Sequence, residues 1–149
     1  MNGAVAPLLA GADPALLKPP VNVLRLSLHP SGLAPRIVNL AEWRAHLFER
    51  LRKQIEISAD PVLVALLEEL RALPAPRSSR PPPKPNADYA GVVVPLQLTS
   101  AAGVLSFLST TTVFGTPVDV TLSEIALESF FPADRATADA LARISAQAR

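Results

Sequence analysis

Residues 104–131 read VLSFLSTTTVFGTPVDVTLSEIALESFF, and this stretch predicts two long β-strands joined at a tight corner. The first arm, residues 104–114, is rich in β-branched and aromatic side chains, which suit a pleated surface better than a helix. Gly115 and Pro117 interrupt the run and predict the turn. The second arm, residues 118–128, alternates apolar and polar side chains, as a half-buried strand does. The chain is therefore expected to be organised around an antiparallel hairpin.

Apolar side chains lie on both faces of the first arm. Val104 and Leu108 share one face, while Leu105, Phe107 and Val113 lie largely on the other. A strand that is apolar on both sides needs cover on both sides. We expect helices to cover one face of the sheet and a partner surface to cover the other.

The composition limits the classes of protein to which this chain can belong. The 149 residues are expected to form one domain, and 49% of them are hydrophobic against 18% charged, which is apolar for a globular chain. No uncharged apolar run reaches the ~18 residues that a membrane span requires, so the surplus is expected to line a pocket or an interface. A net charge of +1 gives no electrostatic basis for binding nucleic acid.

Few residues are suited to catalysis or metal binding. Cysteine is absent and histidine occurs twice, so no disulfide, metal site or cofactor is expected. Asp119, Glu124 and Glu128 are the carboxylates near the hairpin, and Glu124 and Glu128 are expected to face solvent. An enzyme is the least favoured class because no nucleophile motif is present. The N-terminus lacks the basic region of a signal peptide, which indicates a cytoplasmic protein.

Helical patterns occupy the first half of the chain and its end. The predicted helices span residues 4–10, 13–18, 22–29, 39–57, 60–73 and 134–148. The clearest is 39–57, in which Trp43 and Leu47 belong to one apolar stripe. Asn39 is its expected N-cap, and Glu42 three residues later forms an approximate capping box.

Strand patterns follow a proline-rich segment. Residues 74–86 predict an extended surface loop, with partner docking as an alternative role. Residues 91–98 predict a third strand, in which Pro95 indicates an edge position or a bulge, and residues 99–103 predict the turn into the hairpin. Helices, then three consecutive strands, then a helix predict an α+β domain with an antiparallel sheet.

Four runs resemble a known family. They are PPVNVLRLSLHPSGLAPRIVNLAEWRAHL, ADPVLVALLEELRALP, GVVVPLQL and GVLSFLSTTTVFGTPVDVTLSEIALESFFPAD. The chain resembles the C-terminal half of helix-turn-helix (XRE-type) transcriptional regulators with an MmyB-like ligand-binding domain, most closely over residues 103–134. The resemblance implies a PAS-like fold, in which helices cross one face of a five-stranded antiparallel sheet and enclose a small-molecule pocket. It also implies a bacterial regulator with a fatty-acid-like ligand.

Two parts of the family pattern have no counterpart in this sequence. The N-terminal helix-turn-helix is absent, so DNA would be contacted only through a domain that this chain does not carry. The first two PAS strands are expected before the opening helix and are also absent. We therefore expect residues 1–149 to be a single PAS-like domain from a fragment or a truncated gene product. Its three-stranded sheet would have an exposed edge, which favours a homodimer.

The expected pocket lies between helices and sheet and is mostly apolar. Its predicted lining is Arg25, Leu28, Trp43, His46, Leu47, Val94, Leu96, Phe107 and Phe114. Arg25 or His46 would meet a ligand carboxylate, because each projects from a helix beside an apolar stripe. The predicted function is a sensory domain that binds a small apolar ligand and controls an attached DNA-binding domain. A ligand-free dimerisation module is the alternative, in which the same residues are ordinary core.

Overall fold

The computed structural model describes residues 5–74, 94–114 and 125–147, with side chains described for 5–74, 94–110 and 128–146. The helices are α1 (Val5–Leu9), α2 (Val23–Leu28), α3 (Leu40–Ser58), α4 (Pro61–Ala72) and α5 (Arg135–Gln147), with short 3₁₀ turns at Pro14–Leu17 and Ala34–Arg36. The strands are β1 (Leu96–Ser100), β2 (Gly103–Phe114) and β3 (Ile125–Pro132). They form one antiparallel sheet in the order β1-β2-β3. The predicted α+β class and the predicted number of strands are confirmed.

The middle strand is β2, as the hairpin pattern predicts. Phe107 pairs with Leu96 on one side and with Pro132 on the other. The strand β3 continues past the predicted end at Glu128, and its described part begins at Ile125. The predicted turn at 115–117 and the first half of the second arm, 118–124, lie outside the described residues. Among the described residues, no strand pairs with the edge of β3 that faces away from β2.

The first strand lies further along the chain than the sequence pattern predicts. Pro95 directly precedes β1, which is an edge strand of the described sheet, so the edge alternative is confirmed and the bulge alternative is not, because Pro95 lies outside the ladder. Ser100 is part of the strand, and the turn is confined to the residues between it and Gly103. Gly103 has a φ of +103°, a conformation that favours glycine. Residues 75–93, which include most of the proline-rich segment and the start of the predicted strand, lie outside the described residues.

The segment leading into α3 covers the outer edge of β1. The Val38 amide donates to the Gln97 carbonyl at 2.8 Å. The Asn39 side chain accepts from the Gln97 amide at 3.1 Å and donates to the Pro95 carbonyl at 2.8 Å. These bonds satisfy backbone groups that an edge strand would otherwise leave open. They also fix the start of α3 against the sheet.

The predicted capping box at Asn39 is wrong. Asn39 is the N-cap residue of α3, but its side chain makes no capping bond to the helix backbone. Its oxygen is used by Gln97, and its amide donates to Pro95 and to Glu42 Oε2 at 3.1 Å. The reason is burial, since Asn39 is only 5% exposed and lies against the strand edge. The side chain joins a helix to a strand.

The core lies between the helices and one face of the sheet. Strand alternation places Leu96, Leu98, Leu105 and Phe107 on this inner face, and none of them is more than 7% exposed. The helices contribute Leu26, Leu28, Trp43, Leu47, Leu51, Leu66, Leu67 and Leu70. The two layers therefore meet through aliphatic side chains and one tryptophan.

The last helix is tied to the middle strand by hydrogen bonds. Asp134 Oδ1 accepts from the Thr137 amide at 2.7 Å, so Asp134 caps the start of α5. Thr137 Oγ1 accepts from the Ser106 amide at 3.0 Å, and the Ala133 amide donates to the Ser106 carbonyl at 2.8 Å. The ladder of β2 is thus continued beyond the end of β3 by the start of α5.

Replacing Asn39 by Ala should destabilise the domain. The substitution leaves the partly buried amide of Gln97 without its acceptor, and an unsatisfied group of this kind costs up to about 1–3 kcal/mol. Urea unfolding followed by circular dichroism measures the change, and an unchanged m-value shows that the folded state stays compact. The control is Glu49→Ala, which removes only exposed ion pairs on α3 and should cost less than about 0.5 kcal/mol. Equal effects of the two substitutions would contradict the bridging role of Asn39.

Candidate functional site

Most of the predicted pocket residues meet in one apolar cluster between the helices and the sheet. The buried members are Leu28, Trp43, Leu47, Leu96 and Phe107, and Val94 is partly buried against them. They come from α2, α3, β1, β2 and the residue pair before β1. The side chain of Phe114 lies outside the described residues. The structure therefore brings the apolar part of the predicted lining together in the layer where the sequence predicts a pocket.

Arg25 is not brought to this cluster. Its guanidinium donates from Nε and Nη2 to the two carboxylate oxygens of Glu69, both at 2.7 Å. Both side chains are 47% exposed, and the pair joins α2 to α4 at the surface. The hydrogen bonds from Arg25 lower the pKa of the Glu69 carboxyl. The expectation that Arg25 meets a ligand carboxylate is replaced by a surface ion pair, because α2 turns Leu26 and Leu28 inward.

A second ion pair joins α3 to the sheet. Arg50 lies one turn beyond His46 on α3, and its Nη1 donates to Glu128 Oε1 at 2.9 Å. The Arg50 side chain is 34% exposed and the Glu128 side chain 28% exposed. The expectation that Glu128 faces solvent is therefore wrong. Glu128 pairs with Thr111, which has the same parity as Phe107, so its side chain lies on the inner face.

Aromatic rings line the same side of the layer. The rings of Trp43 and His46 lie 5.6 Å apart between centroids, and those of Phe107 and Phe130 are 6.5 Å apart and edge to face. Phe107 is 5% exposed and Phe130 is 41% exposed. The inner face of the sheet is therefore more exposed to solvent at Phe130 than at Phe107.

His46 lies half-buried between the tryptophan and the ion pair. Burial lowers the pKa of its imidazole, and the neighbouring charge of Arg50 lowers it further. Glu128 and Glu42 act in the opposite direction, and Lys53 acts with Arg50. The neutral ring is the form that this environment favours, so His46 is suited to a neutral hydrogen bond more than to an ion pair with a carboxylate.

Trp43 carries a polar atom without a partner. The residue is 2% exposed, and its indole Nε1 has no hydrogen-bond partner among the described residues. A buried donor without an acceptor costs about 1–3 kcal/mol, and such groups are rare in native proteins. The sequence identified Trp43 as part of the lining but could not show that its N–H lacks an acceptor.

Sequence reasoning missed Arg50, Glu128 and Phe130. Two signals were present. Arg50 follows His46 by four residues, which places both on one side of α3. Glu128 and Phe130 have equal parity in β3 and so share one face of the sheet. The pairing register of the strands places this face against α3, and that register cannot be read from the sequence.

An open cavity of about 400 Å³ lies at another place in the fold, between α1, the β1–β2 turn and α5. Its lining is Pro7, Leu8, Ser100, Ala101, Ala102, Ala140, Arg143 and Ile144. None of the predicted pocket residues belongs to it.

The described ranges hold neither a metal-binding cluster nor a membrane-spanning helix. No three His, Cys, Asp or Glu side chains there are grouped closely enough to hold a metal ion. None of the described helices combines the length and the apolar character that crossing a membrane requires.

Comparison with known proteins identifies the family. The family model of the MmyB-like transcription regulator ligand binding domain matches residues 1–144. The chain belongs to this family. Curated proteins and solved structures gave no match. The resemblance seen in the sequence is confirmed, and the cluster around Trp43 lies in a regulator's ligand-binding domain.

The buried His46 should make this ligand-binding domain less stable in mild acid. Because its pKa is lower in the folded than in the unfolded chain, the unfolded state binds the proton more readily. Stability contributed by neutral His46 is present above the unfolded pKa of about 6.5 and is lost as the pH falls from that value to the lower folded pKa. The melting temperature should therefore fall between about pH 7.5 and 5.5, and His46→Gln should reduce this fall.

The control removes the chain's other histidine. His29→Gln changes a side chain that accepts from the Ser31 amide at 3.0 Å, away from α3. Thermal unfolding at several pH values compares the two variants. A pH dependence that survives in His46→Gln and disappears in His29→Gln would contradict the assignment.

Proposed function

We propose that this domain is the sensory part of a bacterial, cytoplasmic transcription regulator and that it binds a small apolar molecule between α3 and the sheet. The proposed ligand carries an oxygen atom that accepts a hydrogen bond from Trp43. Binding then controls an attached helix-turn-helix domain. The observation that carries this proposal is the unpartnered indole N–H inside an otherwise apolar cluster. Membership of the ligand-binding family supports it.

The cluster favours an apolar ligand with few polar atoms. Leu47, Leu96 and Phe107 offer only hydrocarbon surface around Trp43. Apolar sites of this kind bind alkyl or aromatic groups, and a small number of polar groups fix the ligand's orientation. The Trp43 N–H is a donor only, so its natural partner is a carbonyl, hydroxyl or carboxylate oxygen.

The attachments of α3 suggest how a ligand would change the domain. The start of the helix is fixed to β1 through Asn39, whereas its far half contacts the sheet at Arg50 and Glu128. A molecule inserted between the layers would separate the far half more readily than the fixed start. A ligand shifts such an equilibrium only through its different affinities for the two states. We propose that an attached domain responds to this change in the position of α3.

The test uses Trp43 itself, because it is the chain's single tryptophan. Titration with 1-decanol should move the one indole ¹⁵N–¹H resonance downfield in a saturable manner, since its hydroxyl oxygen can accept the hydrogen bond. The melting temperature should rise with the same midpoint, because a molecule that binds only the folded state stabilises it. If 1-decanol neither moves the resonance nor raises the melting temperature, the proposal fails.

A variant separates the hydrogen bond from the packing. Trp43→Phe keeps an aromatic ring but removes the donor, and the loss of one hydrogen bond of about 1–1.5 kcal/mol should weaken 1-decanol binding about five- to tenfold. Phe48→Leu is the control, since Phe48 lies under the Arg44 guanidinium 5.1 Å from its ring centre and not beside Trp43. Calorimetric titration of both variants compares the affinities, and equal losses would contradict a role for the N–H.

Dimerisation is the second candidate function, and one specific feature favours it. Val104 is 56% exposed and Phe131 is 53% exposed. Phe131 pairs with Leu108, so strand alternation places it with Val104 on the outer face of the sheet. Together with the edge of β3 that lacks a strand neighbour among the described residues, this face offers an apolar surface to a second copy of the chain.

Replacing Phe131 by Ser should weaken a homodimer formed through the outer face, since an apolar anchor in an interface centre contributes much of the binding energy. Sedimentation equilibrium should give a dimer dissociation constant raised about tenfold or more, as loss of roughly 2 kcal/mol requires. Val62→Ser, at an exposed apolar position on α4 away from the sheet, is the control. A monomer at every concentration, or equal effects of both changes, would contradict the dimer.

A further inference from the structure

We propose that the open cavity between α1, the β1–β2 turn and α5 is a second binding site, which takes a small aromatic carboxylate through Arg143. None of the residues that line this cavity belongs to α3. The site is therefore separate from the layer around Trp43, and the inference does not depend on the function proposed above.

The lining of the cavity has the composition of a small-molecule site. The apolar members are Pro7, Leu8, Ala101, Ala102, Ala140 and Ile144, and the polar members are Ser100 and Arg143. Ser100 Oγ donates to the Gly103 carbonyl at 2.9 Å and accepts from the Ala102 amide at 3.1 Å, so its hydroxyl is used within the turn. A mostly apolar cavity of about 400 Å³ with one charged side chain matches the lower end of the size range of ligand pockets.

Arg143 is the arginine that lacks a partner in the described part of the chain. The described arginines that pair with carboxylates are Arg25, Arg50, Arg52, Arg71 and Arg135, and those that donate to backbone carbonyls are Arg36 and Arg44. No hydrogen bond or ion pair engages Arg143 there. A guanidinium has the planar geometry that binds a carboxylate through two hydrogen bonds. A single arginine balances one negative charge, which favours a carboxylate over a dianion.

Hydrogen bonds hold the walls of the cavity in place. Arg36 Nη1 donates to the Leu8 carbonyl at 2.8 Å and to the Ala10 carbonyl at 2.9 Å. Its Nε donates to the Thr99 carbonyl at 3.0 Å, which joins α1 to β1. The third wall, α5, is fixed because Thr137 Oγ1 accepts from a backbone amide of β2. The walls are thus positioned before a ligand arrives, which lowers the entropic cost of binding.

Small side chains make room for a flat group beside Arg143. Ala101, Ala102 and Ala140 each present a single methyl group to the cavity. Ala140 is only 2% exposed and therefore lies at the base, whereas the two alanines of the turn are exposed and lie at the opening. Arg143 follows Ala140 by three residues, so both lie on one side of α5. An aromatic ring can contact these methyl groups over a large apolar area while its carboxylate binds the guanidinium.

The experiment compares 2-naphthoate with its neutral counterpart 2-naphthamide in ¹H–¹⁵N spectra of the whole chain. We expect 2-naphthoate to cause saturable shifts of the amides of Ala101, Ala102 and residues 140–144, with no shift of the Trp43 indole resonance. The expected dissociation constant is about 1 mM, which is typical of a ligand of this size. 2-Naphthamide should bind about five- to tenfold more weakly, because it cannot form a charge-assisted pair with Arg143.

Variants separate the charge from the shape of the cavity. Arg143→Gln should weaken 2-naphthoate about five- to tenfold and leave 2-naphthamide unchanged. Arg135→Gln is the matched control, because this arginine lies on the same helix, has a side chain that is 95% exposed and does not line the cavity. Ala101→Leu should weaken both molecules at least about tenfold by filling the opening. The backbone at Ala101 accepts leucine, since its φ is not positive.

Circular dichroism checks that each variant is folded, and Arg143→Gln decides the inference even if Ala101→Leu is not. Equal effects of Arg143→Gln and Arg135→Gln on 2-naphthoate would overturn it, as would the absence of saturable shifts up to about 10 mM. Shifts confined to the Trp43 indole would place 2-naphthoate beside α3, and they would overturn this inference while leaving the proposed function intact. If 1-decanol fails to bind but 2-naphthoate binds through Arg143, the proposed function falls and this inference stands.

Discussion

The packing of α3 against the inner face of the sheet is the interaction on which the rest of the structure depends. Trp43 and Leu47 meet Leu96 and Phe107 in one layer, and burying each such side chain contributes about 1.5–3 kcal/mol. The other helices add apolar side chains to this layer, and the strand register places Leu96 and Phe107 side by side on the inner face of the sheet. The same apolar surface that stabilises the fold is the surface that a ligand would share.

Polar contacts hold the two ends of this layer in different ways. At one end, Asn39 is almost fully buried and binds the backbone of β1 at Gln97 and Pro95. At the other end, Arg50 and Glu128 form a partly solvated ion pair. Buried hydrogen bonds to backbone are costly to break, whereas a partly exposed ion pair contributes little to stability. The layer is therefore held more firmly at Asn39 than at the ion pair of Arg50 and Glu128.

The sequence predicted the local elements of the fold well. Asn22 before α2, and Asp60 before α4 with proline in the first turn of that helix, located both helices because capping depends on residues within one turn. The β-branched run predicted β2, since that preference also acts locally. The apolar side of the pocket was predicted because a helical stripe and a strand face must be buried somewhere.

The polar side of the site could not be predicted, because its partners are distant in sequence. Asn39 and Gln97 are 58 residues apart, and Arg50 and Glu128 are 78 residues apart. Local pattern predicted that the Asn39 side chain bonds to its own helix and that Glu128 faces solvent, but tertiary contacts engage both side chains. The partner of Arg25 is equally distant in sequence, since Glu69 lies 44 residues away on another helix. Such pairings can be predicted only when the register of the sheet and the packing of the helices are known.

The central claim is that an oxygen atom of a bound molecule accepts a hydrogen bond from Trp43 Nε1 in the layer between α3 and β2. A crystal structure grown with 10-bromo-1-decanol locates the ligand most directly, because bromine gives an anomalous signal. The account predicts one bromine peak in the layer between α3 and the sheet, with the hydroxyl oxygen within hydrogen-bond distance of Trp43 Nε1. Bromine found only on the surface, or a protein group already accepting from Trp43 Nε1, would contradict it.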